Sequence, residues 1–445
     1  MLKKKIIAIC LAICSVFGLA SCGSSNSSAS SSDSSSAPEV EVPEHLGLYA
    51  AEDGTLMKDG KEFYGFGVDY YSLLNRAFTE KWDVSKSLAS LEVLASYDVR
   101  VIRFNLGGYA GTDWNYVIKK EERYFEALDA IVDKAAEVGI GLLPCFFWGS
   151  IADYYSEPQG TSFADENTKS MQFVKSFTEK VVTRYAYHPG IYGWEFSNET
   201  NLSSDIGDAY FDYMSTHRPD GTPRNEDDLI KSEYYTYALN IWSSVVKRCD
   251  PYNRIIGNGD AEFRESAWNL KAGNGWKVDT QEQHEEMLDY LNQDMTAVSL
   301  HKYPNYGISS AKDFTKVHSY LGYYDTWDGF MEYFVAQGKR MKKAVYLGET
   351  GWIYSDANAV NRATVEQVAE ITNVIIDAAI KADMPLALFW NYDDRPNYNP
   401  ADPTDKAFPA GTEWSWNERW EKGIAILEAI KEGNRRYDEK HAAQA

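Results

Sequence analysis

The sequence predicts a (β/α)8 barrel, built as one domain with long loops on one face, over residues 46–445. Eight short runs of β-branched and aromatic residues alternate with longer amphipathic stretches, which is the order of strands and helices in a parallel α/β fold. The length also fits a barrel with extended loops. A doubly wound sheet is the alternative, but Gly65-Phe66-Gly67 does not continue into the GxGxxG turn that such a fold often carries.

Residues 1–21 are predicted to be a signal peptide. Three lysines precede an apolar run from Ile6 to Ala20, and this run is short for a membrane-spanning helix. It ends in Leu19-Ala20-Ser21-Cys22, which is similar to a bacterial lipobox, where cleavage before the cysteine accompanies lipidation of its thiol. We therefore expect a lipoprotein held by Cys22 on the extracytoplasmic side of the cell membrane. An ordinary secretory signal with an incidental cysteine is the alternative.

Residues 22–45 are predicted to be a flexible, serine-rich linker. Of the cysteines that follow, Cys145 sits in an apolar run and is expected in the core, and a bridge to Cys249 stays open. No CxxC motif or His/Cys cluster is present, so we expect no metal and no cofactor. The net charge of −22 argues against nucleic acid as a partner. The 31 tyrosines and 13 tryptophans suit stacking against sugar rings.

The predicted strands, in order, are Phe63–Asp69, Val99–Asn105, Gly139–Phe147, Ile191–Asn198, Arg254–Asn258, Thr296–Lys302, Ala344–Glu349 and Leu386–Asn391. The clearest predicted helices between them are Glu121–Glu137, Thr168–Tyr187, Ile230–Arg248 and Ala363–Ala382. In the first of these helices apolar residues recur at helical spacing, with charged residues on the other face. Eight such units predict a closed parallel barrel.

Polar and unusual residues fall at the carboxyl ends of several predicted strands: Arg103 and Asn105, Asn198 and Glu199, His301 and Tyr303, Glu349, and Trp390 and Asn391. In a (β/α)8 barrel the chemistry is gathered at these ends. The pattern therefore predicts one site that several strands build together.

Two of these strand ends carry glutamates 150 positions apart, Glu199 after Trp194-Glu195-Phe196-Ser197-Asn198 and Glu349 within Tyr346–Trp352. A pair of carboxyl groups on separate strands is what cleavage of a glycosidic bond requires. Glu195 is a rival to Glu199, and its side chain points the same way on a strand. It lies deeper, however, and is expected to form a structural ion pair.

Across nearly the whole body the chain resembles glycoside hydrolase family 5 and the wider clan A of retaining β-glycosidases. The resemblance rests on Trp-Glu-x-x-Asn-Glu at 194–199, Leu347-Gly348-Glu349 and His-x-Tyr at 301–303, all in family order. It implies a retaining hydrolase that cleaves β-linked glycans of the β-glucan or β-mannan type by double displacement, with endo action expected.

The resemblance also implies roles for four residues. Glu199 matches the general acid/base, and Glu349 matches the nucleophile. Arg103 matches the arginine that keeps the nucleophile charged, and Asn198 matches the residue that hydrogen-bonds the sugar 2-hydroxyl. A core ion pair is the alternative for Arg103.

Tyr303 is expected from the resemblance to orient the nucleophile, His301 to line the site, and Trp390 to form the floor under the sugar at subsite −1. For His301 the alternative is a wall residue without a binding role, and for Trp390 it is barrel packing. The chain departs from the family at the end of the third strand, where Trp148 follows Phe147 and a histidine is common. We expect Trp148 to replace that polar contact with stacking.

Further departures are Asp69-Tyr70, where asparagine is common, and Thr200-Asn201, where proline is usual. The long segments Asn201–Leu229 and Asn391–Trp420 are expected to shape the cleft. The sequence leaves open the glycan, the choice between groove and pocket, and the oligomeric state. Alternative functions are a non-catalytic glycan-capture lipoprotein on the same barrel, an exo-acting β-glycosidase and a transglycosylase.

Overall fold

The computed structural model describes residues 44–108, 113–149, 151–304, 314–317, 322–351, 364–393 and 415–443. The predicted signal peptide, Cys22 and most of the linker lie outside these ranges, as does the larger part of the segment Asn391–Trp420. Within the described ranges, no helix combines the length and the apolar character needed to cross a membrane.

Eight parallel strands form one sheet, and a small antiparallel sheet of three strands precedes them. The small sheet consists of β1 (Leu48–Ala50), β2 (Leu56–Lys58) and β3 (Lys61–Glu62). The barrel strands are β4 (Gly65–Asp69), β5 (Val101–Asn105), β6 (Gly141–Phe147), β7 (Gly193–Ser197), β8 (Ile255–Gly257), β9 (Ala297–His301), β10 (Ala344–Thr350) and β11 (Leu386–Phe389). Each coincides with a predicted strand.

The sheet runs in the order β8-β7-β6-β5-β4-β11-β10-β9. Its two edges meet at Thr296, whose N–H donates to the Ile256 carbonyl oxygen at 3.0 Å. In return, the Ile256 N–H donates to Thr296 Oγ1 at 2.8 Å. These bonds bring the sheet to near closure, and the predicted (β/α)8 barrel is confirmed.

The helices fill the crossovers between the strands. They are α1 (Ser72–Thr79), α2 (Ser85–Ser96), α3 (Trp114–Lys119), α4 (Glu121–Val138), α5 (Ile151–Tyr155), α6 (Gln159–Ala164), α7 (Lys169–Tyr185), α8 (Tyr210–Tyr213), α9 (Ser232–Cys249), α10 (Ala267–Lys271), α11 (Gln281–Asn292), α12 (Trp327–Met341), α13 (Val365–Ala382) and α14 (Glu421–Ala442). Local signals set several ends: a Thr364–Gln367 capping box begins α13, and Gly139 at φ +80° ends α4.

The barrel interior changes from apolar to charged along its axis. At the N-terminal end the inward side chains are Val101, Leu143, Ile255, Ala297, Ala344, Leu386 and Leu388, and Leu48 and Leu56 of the small sheet pack against them. Because side chains alternate along a strand, two residues further on Arg103 and Glu195 point inward and are fully buried. We call Arg103 and the carboxyl groups that contact it the charged layer.

Both cysteines of the barrel are unbridged, which answers a question that the sequence leaves open. Cys145 is buried as expected, and its Sγ donates to the Ser197 carbonyl oxygen at 3.1 Å. It therefore ties β6 to the strand that leads to Glu199.

Candidate active site

The two glutamates meet at the C-terminal mouth of the barrel. One carboxylate oxygen of Glu199, one of Glu349 and a ring nitrogen of His301 all lie within 4.8 Å of one another. His301 Nδ1 is 3.0 Å from Glu199 Oε1 and 3.6 Å from Glu349 Oε2. Glu199 is 31% exposed, whereas Glu349 is buried, so one carboxyl group faces solvent more than the other.

Arg103 is the centre of the charged layer. Its Nη1 donates to Glu349 Oε1 at 2.7 Å and to Asp69 Oδ1 at 3.1 Å. Its Nη2 donates to Asn198 Oδ1 at 2.9 Å, and its Nε donates to Glu195. One guanidinium thus connects the ends of four strands, and because the Asn198 oxygen is held, the amide nitrogen of that side chain is turned away from Arg103.

Glu195 lies deeper than Glu199, as its position on the strand predicts. It accepts hydrogen bonds from Arg103 and, at 2.7 Å, from the Tyr346 hydroxyl. Both oxygens therefore have partners inside the barrel, and Glu195 is the structural ion-pair residue.

Asp69, where family members often carry asparagine, is the third carboxyl group on Arg103. Burial raises its pKa well above the usual range, and the neighbouring Glu349 adds to the effect while Arg103 opposes it. Its Oδ2 is buried without a hydrogen-bond partner among the described residues. A protonated Asp69 would reduce the negative charge around Arg103.

Glu199 and Glu349 differ in the groups that shift their pKa values. Burial raises the pKa of Glu199, and only the positive charge of Arg103 opposes this effect. Burial also raises the pKa of Glu349, but Arg103 and the Tyr303 hydroxyl, which donates to Oε2 at 2.7 Å, oppose it. Two hydrogen bonds, from Arg103 and Tyr303, thus favour a charged Glu349, whereas no cation among the described residues donates a hydrogen bond to Glu199.

His301 is neutral at ordinary pH because burial lowers its pKa to about 4. Its ring packs beneath Gly348 of the Leu-Gly-Glu motif. A Cβ atom at Gly348 would lie 2.7 Å from Ser299 Oγ and 3.1 Å from His301 Nε2. The glycine therefore allows the strand of Glu349 to approach His301.

Aromatic rings cover the charged layer on the side of the first, third and eighth barrel strands. The Trp148 ring centre lies 4.3 Å from the guanidinium carbon of Arg103. Trp148 also stacks on Trp390 at 5.4 Å and meets Tyr71 edge-on at 5.1 Å. Trp148 thus lies at the site, where its ring packs on Arg103 and Trp390.

The turn Asn258-Gly259-Asp260 after β8 holds the backbone of Glu199. This contact was not predicted from the sequence. The Glu199 N–H donates to the Gly259 carbonyl oxygen at 2.8 Å, and Glu199 itself has φ +52°. Asp260 accepts from the Tyr235 hydroxyl at 2.8 Å and from Asn258 Nδ2 at 2.7 Å. The signal was present in the sequence, since Asn258 ends the fifth predicted strand and Gly259 and Asp260 directly follow it.

Glu199, His301 and Glu349 are the residues in the described part of the chain whose ligand atoms are close enough to hold a metal ion. Arg103 lies 2.7 Å from Glu349, and its positive charge disfavours a second cation there. The set is better suited to proton transfer and nucleophilic attack than to metal binding.

Comparison with known proteins finds β-mannan-degrading enzymes, while no protein-family model matches the chain. A probable mannan endo-1,4-β-mannosidase C from Aspergillus terreus is 22% identical over 366 residues, which are 75% of this chain and 80% of that protein. The structure of an endo-1,4-β-mannanase from Rhizomucor miehei matches with a TM-score of 0.58 and 16% identity, over 88% of this chain and 99% of its own.

A glycoside hydrolase family 5 mannosidase from Rhizomucor miehei also matches, with a TM-score of 0.58 and 14% identity, over 89% of this chain and 99% of its own. These likenesses show that the chain has the fold of family 5 enzymes. They agree with the resemblance that the motifs carry.

Proposed function

We propose that the protein is a retaining O-glycosyl hydrolase that acts on β-linked mannans. The observation that carries the proposal is the pair Glu199 and Glu349: one carboxylate oxygen of each lies within 4.8 Å of the other at the mouth of the barrel. Retaining glycosidases need carboxyl groups about 5–5.5 Å apart, whereas inverting enzymes leave room for a water molecule at about 6.5–9.5 Å.

In the first step, Glu349 attacks the anomeric carbon and the glycosidic C–O bond breaks. Glu199 gives its proton to the departing oxygen, so the leaving sugar departs as a neutral alcohol. In the second step, Glu199 accepts a proton from water, whose oxygen attacks the anomeric carbon and displaces Glu349. The two inversions restore the original anomeric configuration.

The surrounding residues support this division of labour. Arg103 and Tyr303 donate to Glu349 and stabilise the anion that attacks, while Asn198 presents its amide nitrogen to the sugar 2-hydroxyl. Trp390 offers a ring under the sugar at subsite −1. The β-mannan substrate and the endo mode are supported by what the relatives are named for, and an exo-acting mannosidase is the alternative within the same site.

A hydrolysis screen on purified mannan, β-glucan and xylan tests the substrate. We expect release of mannooligosaccharides of mixed length with β-configured new ends, read by chromatography and by NMR at early times. Mannose as the sole early product would indicate exo action. Binding of glycans without any product would instead favour a glycan-capture protein.

The roles of the glutamates are tested with aryl β-mannosides. Glu349→Gln should abolish turnover, and Glu199→Gln should spare substrates with good leaving groups, which need no proton. Glu370→Gln, on an exposed face of α13, is the matched control and should behave like the unchanged protein. Equal losses on good and poor leaving groups would count against Glu199 as the acid.

We also propose that Cys22 carries a lipid that anchors the protein at the extracytoplasmic face of the membrane. The lipobox-like end of the leader supports this location. Cys22→Ala should release the protein from the membrane fraction and abolish labelling with a fatty-acid probe. Retention of both in the variant would refute the anchor.

A further inference from the structure

Trp276 is the most unusual tryptophan of the described chain, because its side chain is 60% exposed. Other tryptophans are among the largest fully buried side chains: Trp114, Trp194, Trp242, Trp327 and Trp416. Val278, two residues further on, is also exposed. An indole left in water on a folded surface gains nothing for stability, and such rings commonly serve as contact surfaces.

The segment that carries Trp276 follows β8 and joins α10 to α11, so it belongs to the face of the barrel that bears Glu199. Arg264 links the two. Its Nε and Nη2 donate to the Leu202 carbonyl oxygen at 3.0 and 2.6 Å, and the Leu202 N–H donates to the Glu199 carbonyl oxygen at 3.0 Å. The guanidinium carbon of Arg264 lies 5.9 Å from the Trp276 ring centre. Trp276 is therefore connected to Glu199 through two intervening residues, Arg264 and Leu202.

The segment is held firmly beneath the exposed ring. Buried Asp279 accepts from the backbone N–H groups of Trp268 at 2.8 Å and Asn269 at 3.0 Å. Asn269 Nδ2 donates to Asp279 Oδ1 at 2.9 Å and to the Lys277 carbonyl oxygen at 3.3 Å, and Asn274 donates to Asn269 Oδ1 at 3.1 Å. Because the segment beneath the ring is already ordered, stacking of a ligand on the ring causes little loss of conformational entropy in the protein.

We propose that Trp276, backed by Arg264, is a sugar-stacking platform for the leaving-group side of a β-linked glycan chain. The proposal rests on the proposed function, in which Glu199 protonates the departing oxygen, so the leaving part of the chain extends past Glu199. Arg264 supports one side of the indole, and the exposed ring offers an apolar surface to the C–H face of a pyranose.

The test compares Trp276→Ala with the unchanged protein on two substrates. On mannohexaose we expect kcat/KM to fall about tenfold, the order that one aromatic contact supplies. On an aryl β-mannoside, whose leaving group is a single aromatic ring rather than a glycan chain, the value should stay within about twofold. Trp276→Phe should recover much of the loss because it keeps an aromatic face. A loss of equal size on both substrates, or no loss on mannohexaose, would overturn the platform.

Tyr187→Ala is the matched control, since Tyr187 is also exposed but precedes β7 and so lies toward the opposite end of the barrel. It should change neither value. A binding measurement separates the platform from catalysis: in a Glu349→Ala background, calorimetry with mannohexaose, cellohexaose and xylohexaose should show weaker binding when Trp276 is replaced. Inactivity of the unchanged protein on every glycan would refute the proposed function, whereas unaltered hexaose binding by the Trp276→Ala variant would refute the platform alone.

Discussion

Replacing Gly259 by alanine should damage the site through the backbone. Gly259 has φ +80°, and a Cβ atom there would lie 1.8 Å from the Ser197 carbonyl oxygen. Contacts of real Cβ atoms essentially never fall below 3.0 Å. The turn at Gly259 and the backbone at Ser197 must therefore move apart by at least about 1.2 Å. Ser197 is two residues before Glu199, and the Glu199 N–H bonds to the carbonyl oxygen of Gly259 itself.

The expected cost has two parts. A non-glycine residue in the left-handed region costs about 1–2 kcal/mol, and forcing extra volume into a packed interior costs about 1–3 kcal/mol. The variant should therefore lose about 2–5 kcal/mol in the free energy of unfolding. Since a displacement of about 1 Å at a catalytic group can cost about 100-fold in rate, kcat should fall by a similar factor.

Gly139→Ala is the matched control, because Gly139 also has φ +80° but a Cβ atom there meets nothing within 4 Å. Urea unfolding should show a loss of only about 1–2 kcal/mol for this variant, with unchanged kcat. In Gly259→Ala the rate on poor leaving groups should fall more than the rate on good ones, since the displaced residue, Glu199, is the proposed acid. Equal stability and equal rates for the two variants would refute the reasoning.

Three further predictions concern buried charges. Burial raises the pKa of Asp260 to about 7, above its unfolded value of 3.8, so its stabilising contribution is lost as the pH rises through that window. In urea unfolding, the wild type should therefore weaken relative to Asp260→Asn between about pH 4 and 7, and a pH-independent difference would contradict this. Arg103→Lys should lower kcat/KM about 10- to 100-fold because it removes charge-assisted hydrogen bonds to Glu349. Arg100→Lys is the control, since Arg100 is partly exposed and its ion pairs lie elsewhere, and this variant should keep its kcat/KM. Lys302→Met leaves Glu262 buried without its cation, so the free energy of unfolding should fall by about 3–5 kcal/mol. The double variant Lys302→Met/Glu262→Leu should recover this stability in thermal unfolding.

The barrel could be predicted from the sequence because its strands are buried on both faces and are bounded by polar residues. The predicted runs begin up to two residues early, as at Phe63 and Val99, since hydrophobicity continues beyond the hydrogen-bonded ladder. The small sheet β1–β3 could not be predicted in this way. Its strands are two or three residues long, too short to show a period of two, and they are held by packing on the barrel.

The same contrast holds at the site. Glu199, Glu349 and the residues that hydrogen-bond them are brought together because strand ends converge. The position of Trp148 over Arg103 could not be predicted, since it depends on a distance between side chains of two strands. The support from Asp260 was predictable in principle, because the rule about strand ends applies to the fifth strand as it does to the others.

The small sheet at the N-terminal end of the barrel has a consequence for protons. Leu48 and Leu56 of this sheet pack against the apolar layer, which lies between them and the charged layer around Arg103. Because an apolar layer offers few groups that can carry a proton, we expect protons to enter and leave the charged layer from the C-terminal mouth, where Glu199 is partly exposed.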